Sequence, residues 1–128
     1  MSTNNTALIV EDDTDLINLY KMKFESSGFT VDTATDGAKG LEMAKKGGYS
    51  IIILDIMLPV MDGFTVLAEL NKMPPESPNG PVIFLTNLAK NKIAPKAKNS
   101  GVVEVLSKTE YTPAQLVEIA ARLIVAKS

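Results

Sequence analysis

The stretch SIIILDIMLPVMDGF, residues 50–64, decides how the rest of the chain is read. Ile51 to Leu54 are apolar at successive positions. A strand with one solvated face alternates, whereas a run apolar on both pleats belongs to a central strand covered by helices on both sides. The acid Asp55 ends this run, and Pro59 and the Asp62-Gly63 pair follow in the composition of a turn. A carboxylate at the end of so apolar a run calls for an explanation.

Outward from this strand, short apolar runs alternate with helix-like segments, the pattern of βα units around a parallel sheet. Ala7–Val10 is the first run. Thr14–Ser27 then carries Leu16, Ile17, Tyr20 and Phe24 on one helical face, with Gly28 in C-cap position. Phe29–Ala34 alternates as a second strand, and Asp36 reads as the N-cap of a helix through Lys46, closed by Gly47-Gly48. A third helix runs from about Gly63 to Lys72, and the proline-rich MPPESPNGP, residues 73–81, forbids its continuation. Val82–Leu85 is the fourth strand. In LAKNKIAPKAKNS, residues 88–100, Pro95 must start or break a helix, so one short helix beginning near Pro95 is expected. Val102–Leu106 makes a fifth strand, and Thr112-Pro113-Ala114-Gln115 is a capping box with proline at the first turn of a last helix to about Ala126. The residues therefore describe a (βα)5 α/β domain.

The 128 residues suffice for one domain with its own core. The chain has no cysteine, which excludes disulfides and thiolate metal sites, and cytoplasmic localisation is the expectation. No segment approaches the ~20 apolar residues that span a bilayer. A net charge of −2, with lysines and acids interspersed, argues against direct nucleic-acid binding. The chain has no histidine, so any mechanism that needs an imidazole must borrow it from a partner.

In open α/β sheets, ligands bind outside the carboxyl ends of the strands. Glu11-Asp12-Asp13 follow strand one, Asp55 strand three and Thr86 strand four, and strand five leads through Ser107 to Lys108. Taken singly each has a plain reading: Asp13 as a helix N-cap, Asp55 as a turn residue, Thr86 as a loop hydroxyl, Lys108 as a surface lysine. Gathered at four strand ends they form a site. Its oxygen-rich donor set suits a hard cation that keeps some waters, such as magnesium. Asp55 is then a nucleophile for phosphoryl transfer, with Lys108 and the metal neutralising charge and Thr86 donating a hydrogen bond. No general base is needed, since a carboxylate is ionised at neutral pH.

Through LIVEDD, ILDIMLPVMDGF, FLT and LSK, about residues 6–126 of the chain resemble a response-regulator receiver domain of two-component signalling, CheY-like. The resemblance implies a doubly wound five-stranded parallel sheet in order 2-1-3-4-5, flavodoxin-like in topology. It implies that Asp55 accepts a phosphoryl group from a phosphohistidine on a sensor histidine kinase or histidine phosphotransfer protein. Magnesium would be held by Asp12, Asp55 and the backbone carbonyl of Met57, with Glu11 reaching it through water. Gly63 would give the turn into the third helix a permissive backbone. A downstream protein target would read the change through the C-terminal half, where Lys90, Lys92, Lys96 and Lys98 crowd. Such a domain is a monomer or weak homodimer, and is no turnover enzyme.

Three positions depart from the family pattern. Thr109 follows Lys108 where the family usually has a proline in a cis peptide, and a trans loop with Lys108 still in reach is expected. Val105 stands where a rotating Tyr or Phe is usual, and Asn87 where a small residue is usual. Val105 and Thr109 are the best support for a rival reading, a pseudo-receiver that binds partners without phosphorylation. A third reading, a magnesium-dependent phosphatase, lacks an acid-base residue beyond the nucleophile. No effector sequence follows Ser128, so a stand-alone regulator or relay protein is the expectation, a fragment of a longer chain being the alternative.

Overall fold

A computed structural model describes residues 5–88 and 90–127; the side chains of residues 90, 91 and 127 lie outside the described set. Strands β1 (Thr6–Val10), β2 (Thr30–Ala34), β3 (Ile51–Asp55), β4 (Val82–Thr86) and β5 (Glu104–Ser107) alternate with helices α1 (Thr14–Ser26), α2 (Gly37–Ala44), α3 (Gly63–Lys72), α4 (Lys90–Ala97) and α5 (Pro113–Lys127). The sheet is parallel throughout, in order β2-β1-β3-β4-β5. Strand order thus reverses between β1 and β3, which opens the crevice of a doubly wound fold at their carboxyl ends.

The two pleats of each strand feed two cores. Ile51, Ile53, Ile9, Ile83 and Leu106 pack with Ile17, Tyr20 and Phe24 of α1 and Leu116, Val117 and Ala120 of α5. Ile52, Leu54, Leu8, Phe84 and Val105 pack with Leu41 and Ala44 of α2, Val66, Leu67 and Leu70 of α3, and Ile93 and Ala97 of α4. Every β3 residue is buried, as its unbroken apolar run requires. Each such Leu or Ile stabilises the fold by about 1.5–3 kcal/mol through removal from water.

Local signals set the helix starts. The side chains of Asp13, Asp36 and Asp62 accept backbone N–H bonds in the first turns of α1, α2 and α3. Thr112 and Gln115 form the reciprocal capping box at α5, with Gln115 N–H donating to Thr112 Oγ1 at 3.1 Å and Thr112 N–H to Gln115 Oε1 at 2.9 Å. Tyr49, just before β3, donates its hydroxyl to Asp32 Oδ2 of β2 at 2.7 Å, tying the edge strand to the centre.

Two sequence expectations are corrected. The fourth helix does not begin near Pro95; α4 starts at Lys90 and carries Pro95 in its interior. Ile93 and Ala97, four residues apart, both face the sheet, and their burial outweighs the backbone bond that proline forfeits. Gly63 does not adopt a positive φ. It is required by space, because a Cβ there would lie 2.5 Å from the backbone oxygen of Asp55.

Pro95→Ala restores the missing N–H, worth ~3 kcal/mol in a helix interior, and gives back up to ~1 kcal/mol through a freer unfolded chain. A net gain of about 2–3 kcal/mol is expected as a higher urea midpoint at unchanged m value.

Candidate functional site

The carboxyl ends of β1, β3, β4 and β5 surround a cleft of about 540 Å³ lined by Glu11, Asp12, Asp13, Leu16, Asp55, Met57, Thr86, Asn87, Lys108 and Thr109. The sheet brings together every strand-end residue singled out from sequence. Glu11, Asp55 and Thr86 are buried, whereas Asp12 is exposed at the rim. Oxygens of Glu11, Asp12 and Asp55 lie within 4.8 Å of one another, a donor set of hard oxygens alone.

Lys108 supplies the opposing charge. Its Nζ lies 2.8 Å from Asp55 Oδ2 and also pairs with Glu11 Oε1, on a side chain only 9% exposed. Its backbone N–H donates to the carbonyl of Thr86 at 2.8 Å, which fixes the start of the chain beyond β5 against the end of β4. The described peptide bonds are all trans, so Lys108 enters the cleft from a trans loop.

The acids are held from the backbone side. Glu11 Oε2 accepts the N–H of Asp13 at 3.0 Å, and Asp55 Oδ1 accepts that of Met57 at 3.3 Å. Thr86 Oγ1 accepts the N–H of Leu88 at 3.1 Å, which leaves its own proton free to donate into the cleft. Asp13, besides lining the cleft, caps α1 by accepting from Asp15 and Leu16 N–H, both at 3.1 Å.

Charge and burial shift the titrations. Burial pushes the Glu11 carboxyl above its ordinary range; Lys108 and the Asp13 N–H pull it back in part, and the charge of Asp55 pushes it further up. Burial alone would depress the Lys108 ammonium, but hydrogen bonds to Asp55 and Glu11 outweigh it and its pKa is raised. Burial lifts the Tyr20 phenol to about 12, so it stays neutral.

The loop after Asp55 carries strain. Val60 has a φ of 71°, a left-handed value rare for a β-branched residue. Met61 N–H donates to the Pro59 carbonyl at 2.8 Å across it, closing a γ-turn. The same carbonyl accepts from Gly37 N–H at 3.2 Å, so the start of α2 clamps the loop. Thr109, which the sequence marks only as a departure from the family pattern, and Leu16 also line the cleft. The cue for a site role of Thr109 is its hydroxyl two positions from that of Ser107, and the sequence shows Leu16 only as a residue of the apolar helix face.

Comparison with known proteins agrees with this geometry. The family model "Response regulator receiver domain" matches residues 7–121. The chain is 35% identical over 117 residues to the probable transcriptional regulator ycf29 of Porphyra purpurea, covering 91% of this chain and 55% of that protein. It thus spans about half the length of that curated relative. Among solved structures it is similar to the receiver domain of the Francisella response regulator 1452, at a TM-score of 0.86 and 27% identity, with 98% of this chain and 100% of that one covered. It is also similar to the receiver domain of the sensor histidine kinase PA1611 of Pseudomonas aeruginosa, at a TM-score of 0.82 and 26% identity over 96% of this chain and 99% of that one. That structure holds a magnesium ion in its active-site cleft. The chain belongs to the response-regulator receiver domains, the CheY-like signalling modules of two-component systems. No helix among the described residues is long and apolar enough to cross a membrane.

One ammonium facing three carboxylates leaves the cleft with excess negative charge. Because the folded pKa of Glu11 is raised, its contribution to stability is complete below 4.5 and is lost as pH rises through the folded value. Asp55→Asn removes one repelling charge while Lys108 keeps Glu11 as partner. Without divalent cations at pH 8 this variant should unfold at a higher urea concentration, by about 1–3 kcal/mol, with the gain shrinking on acidification toward 4.5. A stability equal to or below that of the wild type at pH 8 would contradict this electrostatic picture.

Proposed function

We propose that the domain accepts a phosphoryl group on Asp55 from a phosphohistidine of a sensor kinase or phosphotransfer protein, and that the modified domain changes its binding to a downstream protein. The observation that carries this reading is the setting of Asp55: a carboxylate 5% exposed at the end of a fully buried strand, 2.8 Å from a lysine ammonium. The histidine must come from a partner, because this chain has none.

An oxygen of Asp55 forms the bond to phosphorus as the bond from phosphorus to the donor imidazole nitrogen breaks. The bonding pair leaves with that nitrogen, which is reprotonated from solvent. A carboxylate nucleophile carries no proton that a general base must remove during the transfer. The Lys108 ammonium, already against Asp55, is placed to pair with the phosphoryl oxygens, and the free Thr86 proton can donate to one of them. Glu11, Asp12 and Asp55 fit a magnesium ion in donor chemistry and in spacing. Asp12, Asp55 and the Met57 carbonyl would hold it, with Glu11 reaching it through water. When bound, magnesium neutralises charge on the phosphoryl oxygens.

Phosphorylation adds about −1.5 to −2 charge at neutral pH, which draws the Thr86 hydroxyl inward. Leu88 N–H is bonded to that hydroxyl, so the chain entering α4 moves with it. The exposed Lys92, Lys96 and Lys98 on and just after α4 make an acidic partner the best match for the face that changes. The side chain of Lys90 lies outside the described residues. On this reading the chemistry is phosphorylation and release on the domain itself, with no turnover of a separate substrate.

Incubation with magnesium and acetyl phosphate, read by intact mass, tests the proposal. The wild type is expected to gain one phosphoryl group, lost with a metal chelator and absent in Asp55→Asn. No gain in either protein, with magnesium bound normally, would replace this reading by the pseudo-receiver to which Val105 and Thr109 point.

A further inference from the structure

The ammonium of Lys108 must sit between two buried carboxylates, yet its side chain has four rotatable bonds and its backbone follows the last residue of an edge strand. Something must hold its root. On the β4 side this is the Lys108 N–H bond to the Thr86 carbonyl. On the other side, the hydroxyls of Ser107 and Thr109 hydrogen-bond to each other at 2.9 Å, directly across Lys108. Thr109 N–H also approaches Ser107 Oγ at 3.4 Å, and Glu110 N–H donates to the Ser107 carbonyl at 3.1 Å. Ser107 is buried, so its hydroxyl needs a fixed partner, whereas Thr109 is exposed at the cleft wall.

We propose that the Ser107–Thr109 hydroxyl pair is a clasp that sets the backbone of Lys108, making Thr109 a positioning residue for the reaction at Asp55. The inference deepens the phosphoacceptor reading and rests on it for its kinetic consequence. With the root fixed, fewer Lys108 conformers compete with the one that faces Asp55. A trans peptide suffices for the lysine here because side-chain hydrogen bonds replace a rigid ring as the constraint. Because the clasp touches neither donor nor metal, its loss should slow the chemical step and leave binding of both unchanged.

Thr109→Val keeps the shape and removes the hydroxyl; Thr109→Ser keeps the hydroxyl and removes the methyl. With magnesium and acetyl phosphate, Thr109→Val should lower the maximal rate of phosphorylation about three- to tenfold at unchanged half-saturating donor, and Thr109→Ser should restore it. A second readout is independent of phosphorylation: the side-chain ¹⁵N signal of the Lys108 ammonium, identified by its loss in Lys108→Arg. It should persist in the wild type and Thr109→Ser and broaden by exchange in Thr109→Val. Equal rates and equal signals in all three proteins would overturn the clasp. So would a Thr109→Ser protein as impaired as Thr109→Val, or a slower Thr109→Val with its ammonium signal intact. If the wild type takes up no phosphoryl group, the phosphoacceptor reading fails, and the ammonium signal alone still decides whether the clasp holds Lys108.

Discussion

The ammonium of Lys108, held between Asp55 and Glu11, makes the interior end of this sheet tenable. Taking a carboxylate out of water costs several kcal/mol even after relaxation, and here two are buried side by side at the ends of adjacent strands. Lys108 offsets part of that cost by pairing with both. The offset is incomplete, since Asp12 adds a third acid within reach and Glu11 is left with a raised pKa. The remaining negative charge suits the cleft to a divalent cation, and cation and ammonium together suit it to a phosphoryl group. Stability given up at one end of the sheet is regained in the two apolar cores that β3 holds apart.

The path from sequence to site follows from a parallel sheet buried on both faces. Its strands meet solvent chemistry only at their ends, and the strand order opens a crevice between β1 and β3. Asp55 emerges from the centre of the sheet, so its backbone has neighbours on both sides, whereas Lys108 arrives from the edge strand and depends on bonds made after the strand has ended. The γ-turn at Val60, the close approach of Gly63 to the Asp55 carbonyl and the clamp from Gly37 crowd the loop beyond the acid. That crowding limits how far Asp55 can move.

The strands and the other helices were legible because burial on two faces writes itself as an unbroken apolar run, and burial on one as helical periodicity. The gathering of Glu11, Asp12, Asp55, Thr86 and Lys108 followed once strand ends were compared. What stayed hidden is tertiary. Pro95 reads locally as a boundary, and only the packing of Ile93 and Ala97 against the sheet explains a helix that runs through it. Gly63 reads as a flexible hinge, but what it supplies is room. The left-handed Val60 contradicts its own side-chain preference, and only the surrounding bonds reveal it. Val105 is buried among Phe84, Ile93 and Ala97. The aromatic contact at this end of the domain is instead made by Phe64 and Phe84, edge to face at 5.1 Å, with Lys96 Nζ 4.8 Å from the Phe64 ring.

Phosphoryl transfer as proposed requires that, of the acids in the cleft, Asp55 alone is modified. Borohydride reduction of the phosphodonor-treated protein, followed by peptide mass mapping, tests it directly, because reduction of an aspartyl phosphate leaves homoserine at the modified position. Homoserine is expected at position 55, dependent on magnesium, with Asp12 and Asp13 recovered unchanged. Homoserine at position 12 or 13, or a modified protein with Asp55 intact, would contradict it.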